Sequence, residues 1–418
     1  LVPSGTIAKG VSTKSHLGDE EESAAHLSSG LSAGAMAQML QKNDQELFGL
    51  DRFKPNDVAH SYTIPGNLYY DADVFEAEKE AVFYKSWNFV CHVSQLEAPG
   101  SYTTTRLGDQ NIAVVRGKDG VIRAFHNVCS HRAHKLLEGN GKTRAIVCPY
   151  HAWTYELDGR LRSNAVLDTV ADFHTEEFCL KPVAVEVMLG FVWINLDLDA
   201  KPLAEQSGHF ADEVRSYCPD PETLKLGHRM TFELKANWKN VIENFQECYH
   251  CPPAHPALVE LIDHNIYRTK NYDICSSHIA PSREDNSAFK FDASKEGALV
   301  MFGAWYLWPN VAFNVLPGRR NVSILHMMPS GPETTYEHWD FFFEDGVPNE
   351  EEKAAMEYIK QVLQPEDIGL VESVQQGLHS RVYSQGRLVV EPTLASNSEH
   401  GIHHFQTLYY NAMTADRR

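Results

Sequence analysis

Two short loops that each pair a cysteine with a histidine constrain this chain most. Cys129-Ser130-His131 and Cys148-Pro149-Tyr150-His151 stand sixteen residues apart. Together they offer two thiolates and two imidazoles to one centre. A 2Fe–2S cluster of the Rieske type needs that mixture, with two Cys on one iron and two His on the other. Exchanging two anionic thiolates for neutral imidazoles raises the reduction potential from roughly −400 mV to roughly −150 to +300 mV. A structural Cys2His2 zinc site is the plainer alternative. Zinc-finger spacing, however, keeps Cys with Cys and His with His, whereas each loop here carries one of each.

A second constellation lies about a hundred residues downstream, in Asn237-Trp-Lys-Asn-Val-Ile-Glu-Asn-Phe-Gln-Glu247-Cys-Tyr-His250-Cys-Pro-Pro-Ala-His255-Pro256. The pattern predicts a helix over Trp238–Tyr249, on which Glu247 and His250 share a face. Pro252 and Pro253 must end that helix and turn His255 back toward His250. Two neutral imidazoles and one carboxylate, with coordination positions left open, form the facial triad of non-haem Fe(II) oxygenases. A lone His-x4-His would read more plainly as satisfied polar residues at a helix end, and the upstream loops shift the balance. The carboxylate is open at this level. Glu247 is nearest, yet it is equally placed to hold the other nitrogen of His250. Gln364-Pro-Glu366-Asp367-Ile-Gly-Leu-Val-Glu372 offers three more acids that spacing alone does not rank.

At 418 residues the chain is long for one core, so two domains are expected. The reading is an N-terminal arm over 1–56, added or poorly ordered, with a short helix at Ala35–Phe48; a cluster-binding domain over 57–200; and an iron-binding catalytic domain over 201–418. In the first domain, Asn111–Arg116 and Val121–Phe125 flank Gly117-Lys-Asp-Gly120, a hairpin signal, and Pro182–Leu196 reads as two strands hinged at Gly190. In the second, strands are expected at Val311–Met328 and Tyr336–Phe343, with a long helix over Glu350–His379 that has Pro365 inside it. Segregated helices and antiparallel strands imply α+β: a small antiparallel β domain, then a larger domain with an antiparallel sheet flanked by helices.

The formal charge of −19 argues against a phosphate-binding basic face, so no nucleic acid is expected. It suits a small cationic substrate or a basic redox partner. No run of eighteen apolar residues and no secretory leader are seen, so no membrane span is expected. Eight cysteines are too few for a disulfide scaffold. Cys248 and Cys251 invite a redox Cys-x-x-Cys reading that the neighbouring prolines and histidines argue against, and the remaining four read as small buried residues. A reducing cytoplasm is the expected location.

Cys-x-His…Cys-x-x-His followed by Asn-Trp-Lys…Glu-Asn-Phe-x-Glu-x-Tyr-His-x4-His-Pro resembles the catalytic subunit of the Rieske non-haem iron oxygenases from about Ser61 to the C-terminus. The resemblance implies a mononuclear iron held by His250, His255 and Asp367. It implies that Glu247 bridges His250 to the Rieske ligand His151 of a neighbouring subunit in a head-to-tail homotrimer, where most ring-hydroxylating members have Asp. Electrons would come from a separate flavin/iron–sulfur reductase, with O2 as co-substrate. The longer acid at 247 and the run Glu372–Ser380 resemble the branch acting on quaternary ammonium compounds. The implied reaction is oxidative N-demethylation, with stachydrine (proline betaine) ahead of glycine betaine, carnitine and choline, and formaldehyde as the by-product. Aromatic-ring dihydroxylation is the alternative within the wider family. An electron carrier, from another class, would need one metal centre where this chain offers two. A methylated ammonium binds ring faces at about 0.5–2 kcal/mol each. Phe245, Trp305, Tyr306, Trp308 and Phe313 are the candidate cage, although each suits a core position equally well. Arg319 or Arg320 is the candidate partner of a substrate carboxylate.

Overall fold

Antiparallel pairing of short segments builds almost all of the β structure. The computed structural model describes residues 52–162 and 166–415; most of the expected arm, and the helix read at Ala35–Phe48, lie outside the described residues. The chain lays down Asn88–His92 (β1), Ser101–Leu107 (β2), Gln110–Arg116 (β3), Ile122–His126 (β4) and Asn140–Lys142 (β5). A small ribbon, Ile146–Val147 (β6) with Thr154–Tyr155 (β7), precedes Pro182–Met188 (β8) and Phe191–Asn195 (β9). All but the ribbon join one sheet in the order β1-β9-β8-β4-β3-β2-β5. The hairpin at Gly117–Gly120 is present, with Gly120 at φ 81° and Asp119 accepting from Val121 N–H at 3.1 Å.

A second seven-stranded sheet follows: Lys225–Leu234 (β10), Arg268–Tyr272 (β11), Cys275–Pro281 (β12), Met301–Leu307 (β13), Val311–Val315 (β14), Asn321–Gly331 (β15) and Thr334–Phe343 (β16). Strands β11 to β16 form a meander, and β10 adds to the outer edge of β16. Side chains alternate across its two faces. Trp305, Phe313, Val322 and Phe342 point into a core shared with Phe89, Phe191 and Trp193 of the first sheet. On the opposite face Phe302, Asn314, Leu325, Met327, Glu337 and Trp339 line a cavity.

Helices Trp238–Phe245 (α1), Glu350–Tyr358 (α2), Gln364–Leu378 (α3) and His400–Thr414 (α4) complete the part that positions the site. Helix α1 packs on β15, β16, α3 and α4. It is shorter than the sequence predicts, ending at Phe245. The reason is local: Glu247 accepts from the N–H of Tyr249 and of His250, so a side chain satisfies donors that a continued helix would have used. The long helix expected over Glu350–His379 is continuous in the chain but has a π-helical turn at Ile359–Leu363, just before Pro365. Proline lacks the N–H that a regular α-helix would need there.

Helix α1 is anchored by a buried ion pair. Lys239 and Glu78 are both fully buried, with Nζ 2.5 Å from Oε1. Trp238 Nε1 and Tyr409 OH donate to the same carboxylate at 2.8 and 2.9 Å. Burial pulls the lysine downward and Glu78 opposes it. Helix α4 is held against the end of α1 by a close backbone approach, since a Cβ at Gly401 would stand 2.2 Å from the Gln246 carbonyl oxygen. Removing one member of a buried pair strands the other. Lys239→Met should therefore cost about 3 kcal/mol, read as a lowered midpoint in urea unfolding; an unchanged midpoint would show that the pair does not anchor α1.

Candidate active site: two metal centres

The two Cys/His loops are built alike. Cys129 N–H donates to the His134 carbonyl at 2.9 Å and Ala133 N–H returns to Cys129 at 3.0 Å. Cys148 N–H donates to the Trp153 carbonyl at 2.8 Å and Ala152 N–H returns to Cys148 at 3.0 Å. Ala133 and Ala152 both take left-handed backbone, at φ 55° and 57°. These tight loops bury both sulfurs (2% exposed each) and leave His131 and His151 exposed. The imidazole centroids lie 4.7 Å apart, and His131 stacks on Trp153 at 4.8 Å. Tyr155 OH accepts from Ser130 N–H at 3.0 Å, so its own proton is free for Cys129 Sγ at 3.3 Å. Sheltered thiols and solvent-facing imidazoles fit a Rieske cluster, whose histidine edge must meet an electron partner.

The second centre forms where α1, the turn after it and α3 meet. One donor atom from each of His250, His255 and Asp367 falls within 4.8 Å of the others. Asp367 Oδ1 is 2.9 Å from His255 Nε2 and 3.5 Å from His250 Nε2. The outer nitrogens are also held: His250 Nδ1 by Glu247 Oε1 at 2.5 Å, and His255 Nδ1 by Glu366 Oε2 at 2.8 Å. Such contacts select the tautomer and aim Nε2 inward. Burial works against charge on His250, but Asp367 and Glu247 outweigh it and push the imidazole up to about 9. Burial likewise disfavours the Asp367 carboxylate, yet the two imidazoles hold it below the ordinary range. The donor set thus demands positive charge at its middle, which a divalent cation supplies while the imidazoles stay neutral.

The acids that spacing could not rank now separate. Asp367 faces both Nε2 atoms, Glu366 grips the far side of His255, Glu247 backs His250, and Glu372 accepts from Lys235 N–H at 2.9 Å away from the group. Glu366 as the partner of His255 had no signal beyond its adjacency to Asp367.

The three inward atoms open onto a cavity of about 130 Å³. Of the five aromatics proposed for a cage, only Phe245 lines it. Trp305 and Phe313 face the opposite side of the sheet, in the shared core. Tyr306 is fully buried, donating to the Pro309 carbonyl at 2.8 Å, and Trp308 donates to Ser86 Oγ at 2.8 Å. The rings on the wall are instead Phe245, Tyr267, Phe289, Phe302, Trp339 and Tyr358. Arg319 is engaged by Glu352 and Arg320 by Glu344, and neither borders the cavity. A further correction concerns Cys248 and Cys251, which form a disulfide around His250. The prolines start a helical turn at Cys251 that folds it over Cys248, whose carbonyl accepts from Cys251 N–H at 3.2 Å. The other six cysteines are free.

Comparison with known proteins agrees with both centres. Residues 86–174 match the Rieske [2Fe-2S] domain, and residues 221–415 match the catalytic domain of the ring hydroxylating alpha subunit. The carnitine monooxygenase oxygenase subunit of Acinetobacter pittii is 40% identical over 354 residues, which is 84% of this chain and 94% of that protein. The chloroplastic choline monooxygenase of Spinacia oleracea is 32% identical, covering 84% of this chain and 78% of the other. The solved structure of a quaternary ammonium Rieske monooxygenase described for carnitine oxidation by gut microbiota superposes with a TM-score of 0.80 at 38% identity, over 86% of this chain and 97% of that one.

Two substitutions probe the centres separately. Glu366→Ala should weaken metal binding at His255 by about 10–100-fold, measured by chelator competition, with the visible absorption of the cluster unchanged. Tyr155→Phe should lower the cluster's reduction potential by removing a hydrogen bond to sulfur, read by redox titration; an unmoved potential would show that this hydroxyl does not reach Sγ.

Proposed function

Because the chain belongs to the Rieske non-haem iron oxygenases, in the branch that includes carnitine, choline and glycine betaine monooxygenases, we propose that it oxidises an N-methyl carbon of a small quaternary ammonium compound. Its cofactors are a Rieske 2Fe–2S cluster and a mononuclear non-haem iron. The proposed substrate is stachydrine, which would leave as the tertiary amine with formaldehyde as the second product. Electrons come in this reading from a separate flavin/iron–sulfur reductase. The cluster supplies electrons singly and the iron supplies O2 activation. Cys129, His131, Cys148 and His151, within a domain spanning 57–200, hold the former; His250, His255 and Asp367, within 201–418, hold the latter.

The observation that carries this reading is the convergence of His250, His255 and Asp367 at the wall of an aromatic cavity. Three protein donors on one side would hold the iron and leave it reachable from the cavity. Phe245, Phe302 and Trp339 exclude water and present ring faces to a methylated cation. They hold a methyl carbon toward the donor set, and orientation rather than contact with the nitrogen sets selectivity. Glu247 fixes His250 from behind. In the proposed head-to-tail homotrimer it would also bridge His250 to His151 of a neighbouring copy.

Reduced enzyme given O2 with stachydrine, glycine betaine, carnitine and choline in turn should release formaldehyde with stachydrine. O2-dependent release of trimethylamine from carnitine without formaldehyde would replace demethylation by cleavage of the other C–N bond. Glu247→Gln should keep both metals by iron analysis, yet slow substrate-dependent reoxidation of the reduced cluster by orders of magnitude. Parent-like single-turnover kinetics in that variant would remove Glu247 from the electron path.

A further inference from the structure

The cavity wall carries three buried polar atoms that have no hydrogen-bond partner: Glu337 Oε1, Asn314 Nδ2 and Tyr358 OH. Their residues are 1%, 5% and 8% exposed. Native interiors pair the large majority of such atoms, because leaving one unpaired is costly. Three on a single cavity therefore mark where a ligand's own polar groups belong.

The three separate by chemistry. An ionised carboxylate only accepts, whereas an amide nitrogen and a phenol hydroxyl donate. They also separate by place. Glu337 sits on β16 opposite Met327, and its other oxygen accepts from Gln364 Nε2 at 2.6 Å, three residues before Asp367. It also feels the Asp367 charge, which puts it at the metal end. Asn314 pairs with Ser323, which pairs with Phe341. Asn314 is thus two strands over and four residues along the sheet from Glu337. Tyr358, on α2, packs beside Phe289 at 6.4 Å between centroids and, like Glu337, feels the Asp367 charge, so it belongs to the metal end and Asn314 alone marks the other.

We infer that this cavity is bipolar and takes a zwitterion: Glu337 is the counter-charge for the substrate's quaternary nitrogen, and Asn314 receives its carboxylate. The inference rests on the quaternary-ammonium reading and narrows it to betaines, setting choline aside. A quaternary nitrogen has no N–H, so it needs a through-space anion and ring faces rather than an acceptor in contact. A carboxylate needs donors, and Arg319 and Arg320 are engaged elsewhere. Placing the acid at the metal end brings the N-methyl groups there and sends the carboxylate away, which N-demethylation requires. Burial and Asp367 push the free Glu337 carboxyl up to about 8. A cation alongside it, and metal charge on Asp367, both favour its ionised form.

The test is anaerobic calorimetry on the oxidised holoenzyme with three ligands: stachydrine, its methyl ester, and 2,2-dimethylcyclopentanecarboxylate, in which carbon replaces the cationic nitrogen. Glu337→Gln keeps an acceptor for Gln364. It should bind stachydrine and the ester at least about tenfold more weakly, the scale of one desolvated cation contact, and should not weaken binding of the carbon analogue. Asn314→Leu should weaken stachydrine and the carbon analogue but spare the ester. Iron content and the ligand-free thermal midpoint of Glu337→Gln should match the parent, because Gln keeps the shape and the oxygen that accepts from Gln364. Stachydrine affinity within twofold of the parent in Glu337→Gln, or equal losses for all three ligands, overturns the assignment. Parent enzyme that binds stachydrine in this pattern but forms no formaldehyde would leave the bipolar site standing and refute the demethylation. Parent enzyme that binds no betaine refutes both.

Discussion

Everything at the catalytic end depends on how two imidazoles are gripped from behind. A histidine aims one nitrogen only when its other nitrogen is held. Glu247 performs this for His250, and Glu366 for His255. Consecutive residues take opposite sides of one ring, with Glu366 on Nδ1 and Asp367 on Nε2 of His255. That clamp exists because the π-helical turn at Ile359–Leu363 lets the chain pass into α3 across Pro365 without losing helical continuity. The end of α1 is equally determined, held by the Lys239–Glu78 pair behind it and by Gly401 against Gln246. The donor set is therefore pre-aimed by packing, and three acids around two imidazoles give it a field that favours a cation.

The cluster end follows a different economy. Each loop closes on itself through two backbone hydrogen bonds and one left-handed alanine, so its geometry is encoded in a handful of consecutive residues. Burial of sulfur and exposure of imidazole follow from the same closure. His131 and His151 face solvent, so a cluster held by these loops would be addressable from another protein surface, and Tyr155 couples the second loop's strand to the sulfur of the first. The two centres share one scaffold, because Trp305 and Phe313 of the second sheet bury against Phe191 and Trp193 of the first. A change in that core would disturb both ends at once.

The errors of sequence reading have physical causes. The densest aromatic stretch, Phe302–Trp308, drew attention as a cage, but a strand sends alternate side chains to opposite faces. This sheet is buried on both faces, so hydrophobicity along β13 and β14 does not alternate and gives no clue to which face is which. Only pairing with β15 and β16, through Leu325 against Trp339 and Met327 against Glu337, shows which face borders the cavity. Helix α1 stops short of the predicted Tyr249 because the Glu247 carboxylate caps the turn that follows rather than extending the helix. The Cys248–Cys251 bond depends on a helical turn that begins at prolines, which were read only as a stop.

What was legible in the amino-acid order alone was whatever sits close along it: both Cys/His loops, the Glu247–His250–His255 cluster, the hairpins around Gly117–Gly120 and Gly190, and hence the kind of metal chemistry. Metal ligands on tight turns are set by spacing and by proline and glycine stereochemistry, which act over a few residues. Spacing left Asp367 unranked among three nearby acids and the family resemblance named it; tertiary structure brought it to both Nε2 atoms, recruited Glu366, turned Trp305 and Phe313 away from the cavity, and brought Glu337 and Asn314 to its wall from different strands. Those outcomes hinge on register and on helix phase across more than a hundred residues, and no local pattern carries that information.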